Sequence, residues 1–168
     1  MRRLLIASLI ILPLCAVAAS GPDGTFYSHA AQGGISEVQL GKLALKKSED
    51  SAVKAFAAQM IKDQAPANDK LRSVAASKNI KLPTKAGVRE MAIKTKLEAL
   101  SGETFDRSYI KAMLKDHEQD VAEFRTEATS GQDADAKAYA AETLPTLQEH
   151  LVKIKAIADR SGLSVGRQ

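Results

Sequence analysis

The chain has 168 residues, of which 45% are apolar, 26% charged and 4% aromatic, with one cysteine and no tryptophan. That length suits one domain with a sizeable core, and abundant Ala, Leu, Lys and Glu with few aromatics favours helices over a β-rich fold. The formal net charge of +4 comes without aromatics interleaved among the basic residues, which argues against nucleic acid as a partner, and a single cysteine excludes an internal disulfide.

Residues 1–19, "MRRLLIASLIILPLCAVAA", have the three parts of a secretory signal peptide. Arg2 and Arg3 open it, an apolar run from Leu4 to Val17 follows, and Ala16 to Ala19 supply small residues for cleavage. The run is too short to cross a bilayer core, and Leu14 before Cys15 does not suit lipid attachment. The expectation is a periplasmic protein, with outer-membrane association as an option. Cleavage near Ala19 would remove Cys15 and leave 22 basic against 20 acidic residues.

A helical domain is expected over residues 25–161. "SGPDG" (20–24) reads as a lead-in, and a first helix runs from about Thr25 to Lys47. Gly33 and Gly34 weaken it locally, at about 1 kcal/mol each relative to alanine, and would let another helix approach. "SEDS" (48–51) is a turn with N-cap candidates. A second helix extends to about Lys78, with Val53, Phe56, Met60, Leu71 and Val74 on one face and Pro66 predicted to kink it. After "NIKLPT", Thr84 could cap a short third helix ending near Leu100. A fourth helix is predicted from about Phe105 to Thr129 and a fifth from about Asp133 to Ser161, the latter kinked at Pro145. Residues 162–168 read as a frayed tail.

"VKAFAAQMI" (53–61) matches "AKAYAAETL" (136–144) at an offset of 83 residues, and the same offset pairs Glu37–Val38 with Asp120–Val121. A helical hairpin thus occurs twice, with the short third helix between. The expected fold is all-α: a ferritin-like four-helix bundle with a short crossover helix between two helical hairpins.

Within "YIKAMLKDHEQDVAEF" (109–124), Tyr109, Met113, Val121 and Phe124 form one apolar stripe, and His117 occupies a place on it where leucine would pack. His150 lies between Leu147 and Ile154 in the same way, Glu37 flanks the inner face of the first helix, and Gln64 and Asn68 continue the second helix's stripe. Asp63, Asp116, Asp120 and Glu149 fall at stripe edges, while His29 has no evident partner. The plain structural reading is a buried network with neutral histidines, since an unpaired interior polar group costs about 1–3 kcal/mol. The functional reading is a metal site, because imidazole and carboxylate suit Fe, Mn, Zn or Cu. The Glu-x-x-His pairs of di-iron bundles are missing: Leu114 and Leu147 stand three residues before His117 and His150. Imidazole nitrogens more than about 7 Å apart could not share an ion. Adjacent Asp116, His117 and Glu118 are expected to point in different directions. No Gly-rich phosphate loop, G-x-S-x-G or H-E-x-x-H is present, so no enzyme class is indicated.

"AAQGGISEVQLGKLALKKSEDSAVKAFAAQMIKD" (30–63), "FDRSYIKAMLKDHEQDV" (105–121) and "AKAYAAETLPTLQEHL" (136–151) resemble the bacterial family called domain of unknown function 4142, over about Phe26 to Ala158. The resemblance implies an exported ferritin-like bundle, with no established activity or cofactor. Family members often carry Asp-His at the end of the second-helix motif, where this chain has Asp63–Gln64. If that histidine were a ligand, Gln64 would weaken the site.

Two readings follow. The first is a non-catalytic binding or envelope-stress module without a cofactor. From Lys42 to Lys96 there are 13 basic against 5 acidic residues, and from Leu97 onward 9 against 13. The basic 42–96 region would then meet an anionic envelope surface. The alternative is a metal-binding or redox protein using Glu37, His117 and His150, with Asp63, Gln64, Asp120 and Glu149 as neighbours.

Overall fold

The computed structural model describes residues 22–163, so the signal-like segment and the last five residues lie outside the described region. Five helices follow in order: α1 (Pro22–Lys47), α2 (Ser51–Ser77), α3 (Val88–Glu98), α4 (Gly102–Ser130) and α5 (Ala134–Arg160). No strand occurs among the described residues. Short turns make α1–α2 and α4–α5 antiparallel hairpins; α2 also packs on α5 and α1 on α4, while α3 crosses between the hairpins against α1 and α4. This is an all-α four-helix bundle with a crossover helix.

The helix starts follow local chemistry. Asp50 caps α2, its carboxylate accepting from the amides of Ala52 and Val53 at 2.7 and 3.2 Å. Asp133, at the 83-residue offset, caps α5 through the amides of Asp135 and Ala136 at 2.9 and 3.4 Å. Such caps satisfy amides that the first helical turn leaves free. Burial repeats at the same offset: Val53 and Ala136, Phe56 and Tyr139, Ala57 and Ala140, Leu71 and Ile154, and Ala75 and Ala158 are all buried.

Two local expectations change, at the starts of α1 and α3. Helix α1 begins at Pro22 rather than Thr25, as suits proline's preset φ in a first turn. Helix α3 starts after Gly87, not at Thr84, with an extended N-cap and no side-chain cap. Helices α2 and α5 continue through Pro66 and Pro145; both prolines face solvent, where water can satisfy the carbonyl each leaves without a donor. Of the paired glycines, only Gly34 marks a close approach. A Cβ there would lie 2.0 Å from Asn68 Oδ1, whereas nothing comes within 4 Å at Gly33.

The core is divided in two. At one end Leu40, Phe56, Met60, Phe105, Tyr109, Met113 and Ile154 pack together. At the other, Phe26, Tyr27, Leu71, Phe124, Tyr139 and Leu147 do so. Each large apolar side chain contributes about 1.5–3 kcal/mol on full burial. Between the two halves lies a buried polar layer, one residue from each long helix: Glu37, Gln64, His117 and His150. The apolar ends supply the stability that this layer costs.

Candidate metal centre

His117 projects from α4 into that layer with no exposure to solvent. Its Nδ1 lies 2.9 Å from the carbonyl oxygen of Met113, one turn back on the same helix. A carbonyl can only accept, so Nδ1 carries the proton and the neutral ring presents a bare lone pair at Nε2. Phe56 and His150 hold the ring edge-on, with centroids 5.7 and 5.5 Å away.

The lone pair points at another acceptor. Nε2 lies 3.3 Å from Oε1 of Glu37, and neither atom has a hydrogen-bond partner. Oδ2 of Asp116 is likewise buried and unpartnered. One donor atom from each of Glu37, Asp116 and His117 falls within 4.8 Å of the others. Two carboxyl oxygens and an imidazole lone pair at that spacing repel unless something positive stands between them, either a proton or a metal cation.

The electrostatics fit. Burial pushes the Glu37 carboxyl well above the usual range, and the charges of Asp120 and Asp116 push it further. Burial raises Asp116 to about 6, with Arg89 opposing and Glu90 adding to the rise. Asp120 is raised by burial and by Asp116 and Glu123. Burial lowers His117 to about 4, against the hydrogen bond to Met113 and with His150. Both shifts disfavour the charged forms, so the geometry at Glu37 and His117 is not that of a stable salt bridge. The buried Tyr109 hydroxyl also lacks a partner, and burial is the chief cause that holds its proton.

His150 has a different environment. Its Nε2 lies 2.8 Å from Oδ2 of Asp63, which also accepts from Gln59 Nε2 at 2.6 Å. Burial alone would raise Asp63, but the hydrogen bonds from Gln59 and His150 outweigh it and hold the carboxyl below its ordinary value. An ionised Asp63 accepts a hydrogen bond from Nε2–H, leaving Nδ1 of His150 as the bare, buried nitrogen.

The structure therefore brings Glu37 and His117 together and sets the His150 ring beside them, but places no donor atom of His150 in the three-residue cluster. Asp63 belongs to His150, and Gln64 is buried in the same layer. Asp120 acts on the cluster through its charge. Glu149 faces solvent and takes no part. His29, without an evident partner in sequence, lies 3.1 Å from Glu123. Sequence reasoning left out Asp116 as a member of the cluster; its place at the stripe edge, next to a stripe histidine, was the available signal. Asp116 also lines a cleft of about 450 Å³ between α1, the start of α3 and α4, together with Asp120, Glu123 and Arg89. Asp116 thus stands between the cluster and the cleft.

Solved structures share this fold. A domain of unknown function 305 protein from Streptomyces coelicolor, described provisionally as secreted, superposes with a TM-score of 0.72 at 15% identity, covering 90% of this chain and 100% of that one. A fragment of the same kind from Deinococcus radiodurans gives 0.72 at 14% identity, with 85% and 99% covered. CopM in its Cu(I)-bound form gives 0.68 at 16% identity, with 82% and 96% covered. Identities this low show the fold alone. No curated protein matches the chain in sequence. No helix among the described residues is long and apolar enough to cross a membrane. The family model for domain of unknown function 4142 matches residues 14–157, and the chain belongs to that family.

Proposed function

We propose that this protein is an exported, non-catalytic helical bundle that binds one transition-metal cation through Glu37, Asp116 and His117. The observation that carries the reading is the bare Nε2 of His117 set 3.3 Å from Oε1 of Glu37 in the bundle interior. A ligating histidine commonly donates its other N–H to a carbonyl or carboxylate, which fixes tautomer and ring orientation. Met113 gives His117 that anchor.

One imidazole and two carboxylates form a harder donor set than Cu(I) prefers, and favour Zn(II), Mn(II), Fe(II) or Cu(II). The Cu(I)-bound CopM supports the idea that this bundle can hold a metal, not that the ion is the same. Asp116, shared between the cluster and the cleft, is the residue that would pass a cation inward. His150 acts as a positioning residue, packed on the His117 ring and held from behind by Asp63. Export is supported by the signal-like residues 1–19 and by the secreted description of one neighbour.

The test is calorimetric titration of metal-free protein with Zn(II), Mn(II) and Co(II), beside metal analysis of protein purified from the periplasm. The expected result is one ion per chain, with affinity lost in His117→Ala. Wild-type protein that takes up none of these ions, before or after stripping, would overturn the proposal and leave the layer as a buried hydrogen-bonded network.

A further inference from the structure

The crossover helix α3 separates charge. On one flank Glu90 joins Asp116, Asp120 and Glu123 around the acidic cleft. On the other, α3 and α4 enclose a groove of about 610 Å³. Its floor is Ala92, Ile93, Leu97 and Ala112, its rim is Arg89, Lys96, Lys111 and Lys115, and no carboxylate lines it. None of Lys96, Lys111 and Lys115 is in an ion pair among the described residues; Arg89 donates to the neutral Gln119 at 2.7 Å and also lines the acidic cleft, where its charge acts on Asp116 and Asp120. Glu98, the remaining acid of α3, is paired with Lys94.

The outward face of the same helix is apolar. Leu97 anchors α3 in the core, while Val88 is 82% and Met91 44% exposed. Ala92, Thr95 and Ala99 continue this face at helical spacing and are exposed too. Lys81 and Lys85 stand exposed in the segment leading to it. An apolar ridge beside a row of unneutralised cations has the make-up of a surface that lies on anionic lipid: the ridge enters the headgroup boundary and the cations meet phosphates.

We propose that the α3–α4 face docks the protein on an anionic phospholipid bilayer, with Val88 and Met91 inserted and Lys96, Lys111 and Lys115 on the phosphates. Docking does not require the metal site to be filled, although Val88 also lines the cleft beside Asp116. It also moves the anionic contact away from the basic 42–96 region as a whole, because Lys111 and Lys115 come from α4.

The chain has no tryptophan, so Met91→Trp, in the exported chain from about residue 20 onward, gives a single fluorescent reporter. Vesicles of phosphatidylglycerol and phosphatidylcholine should shift its emission to the blue, and pure phosphatidylcholine vesicles should not. Each basic residue near such a surface contributes about fivefold in partitioning. Lys111→Glu with Lys115→Glu should therefore lower co-sedimentation of the otherwise wild-type chain by about 25-fold or more. Lys42→Glu with Lys54→Glu, the same change of net charge at exposed sites elsewhere, should lower it far less. No shift with the anionic vesicles, equal binding to both vesicle types, or equal losses in the two double variants would each overturn the proposal. A shift produced by an acidic helical peptide but not by vesicles would likewise overturn it and assign the face to a protein partner.

Discussion

His117 and His150 lie at the same depth, on facing helices, with ring centroids 5.5 Å apart. Both have one nitrogen committed and one bare. They differ in what commits them. His150 donates a hydrogen bond to Asp63, a carboxylate at the bundle's edge whose ionised form is favoured. His117 donates a hydrogen bond to a carbonyl of its own helix and turns its lone pair toward Glu37, whose ionised form is disfavoured. One histidine completes a satisfied pair. The other faces acceptors that only a proton or a metal can reconcile. Burial alone does not make a histidine a ligand; the partner of its second nitrogen decides.

The largest effect expected from breaking this asymmetry is on metal affinity. His117→Ala should weaken Zn(II) or Co(II) binding by more than about a hundredfold in calorimetry, since even the loss of an outer-shell partner commonly costs about 10- to 100-fold. Glu37→Gln should weaken binding by at least about tenfold and leave metal-free stability little changed, because burial and the neighbouring Asp120 and Asp116 disfavour the charge that it removes. An urea midpoint that drops steeply in Glu37→Gln would mean that the negative charge itself is needed for folding. His150→Phe should cost under about tenfold in affinity and about 1 kcal/mol in stability, as Asp63 at the edge can rehydrate. Equal affinity losses at the two histidines would erase the distinction between them.

A smaller effect concerns pH and serves as a control away from the layer. Glu127 is buried near the end of α4. Burial, then the charge of Asp23 and a hydrogen bond with it, raises its carboxyl to about 7 from an ordinary 4.5. Between those values the folded chain holds the proton more tightly than the unfolded chain, so stability falls as pH rises through that window. Glu127→Gln should flatten this slope and raise the urea midpoint at pH 8 more than at pH 5. A slope left unchanged would count against a raised Glu127.

Much of this was legible in the sequence, for identifiable reasons. Apolar spacing placed Tyr109, Met113, His117, Val121 and Phe124 on one stripe, and all five are buried. The 83-residue repeat carried both the hairpins and the paired caps Asp50 and Asp133. Less legible was whatever depends on helices meeting across the bundle. Asp63 and His150 are 87 residues apart, and nothing local to either announces the pair. Successive helical residues are rotated about 100° apart, so adjacency alone sends Asp116 and His117 in different directions. A stripe-edge side chain can still turn inward where a neighbouring helix leaves space. The start of α3 is set by its packing on α1 and α4, which no capping residue at Thr84 foretells.

The most direct test of the account is long-range ¹H–¹⁵N NMR of the three imidazoles during Zn(II) titration of metal-free protein. The account predicts a stoichiometric shift of His117 Nε2, with Nδ1 keeping its proton and both the tautomer of His150 and the exposed His29 unchanged. Zinc that shifts His29 or His150 while leaving His117 Nε2 where it was would contradict it.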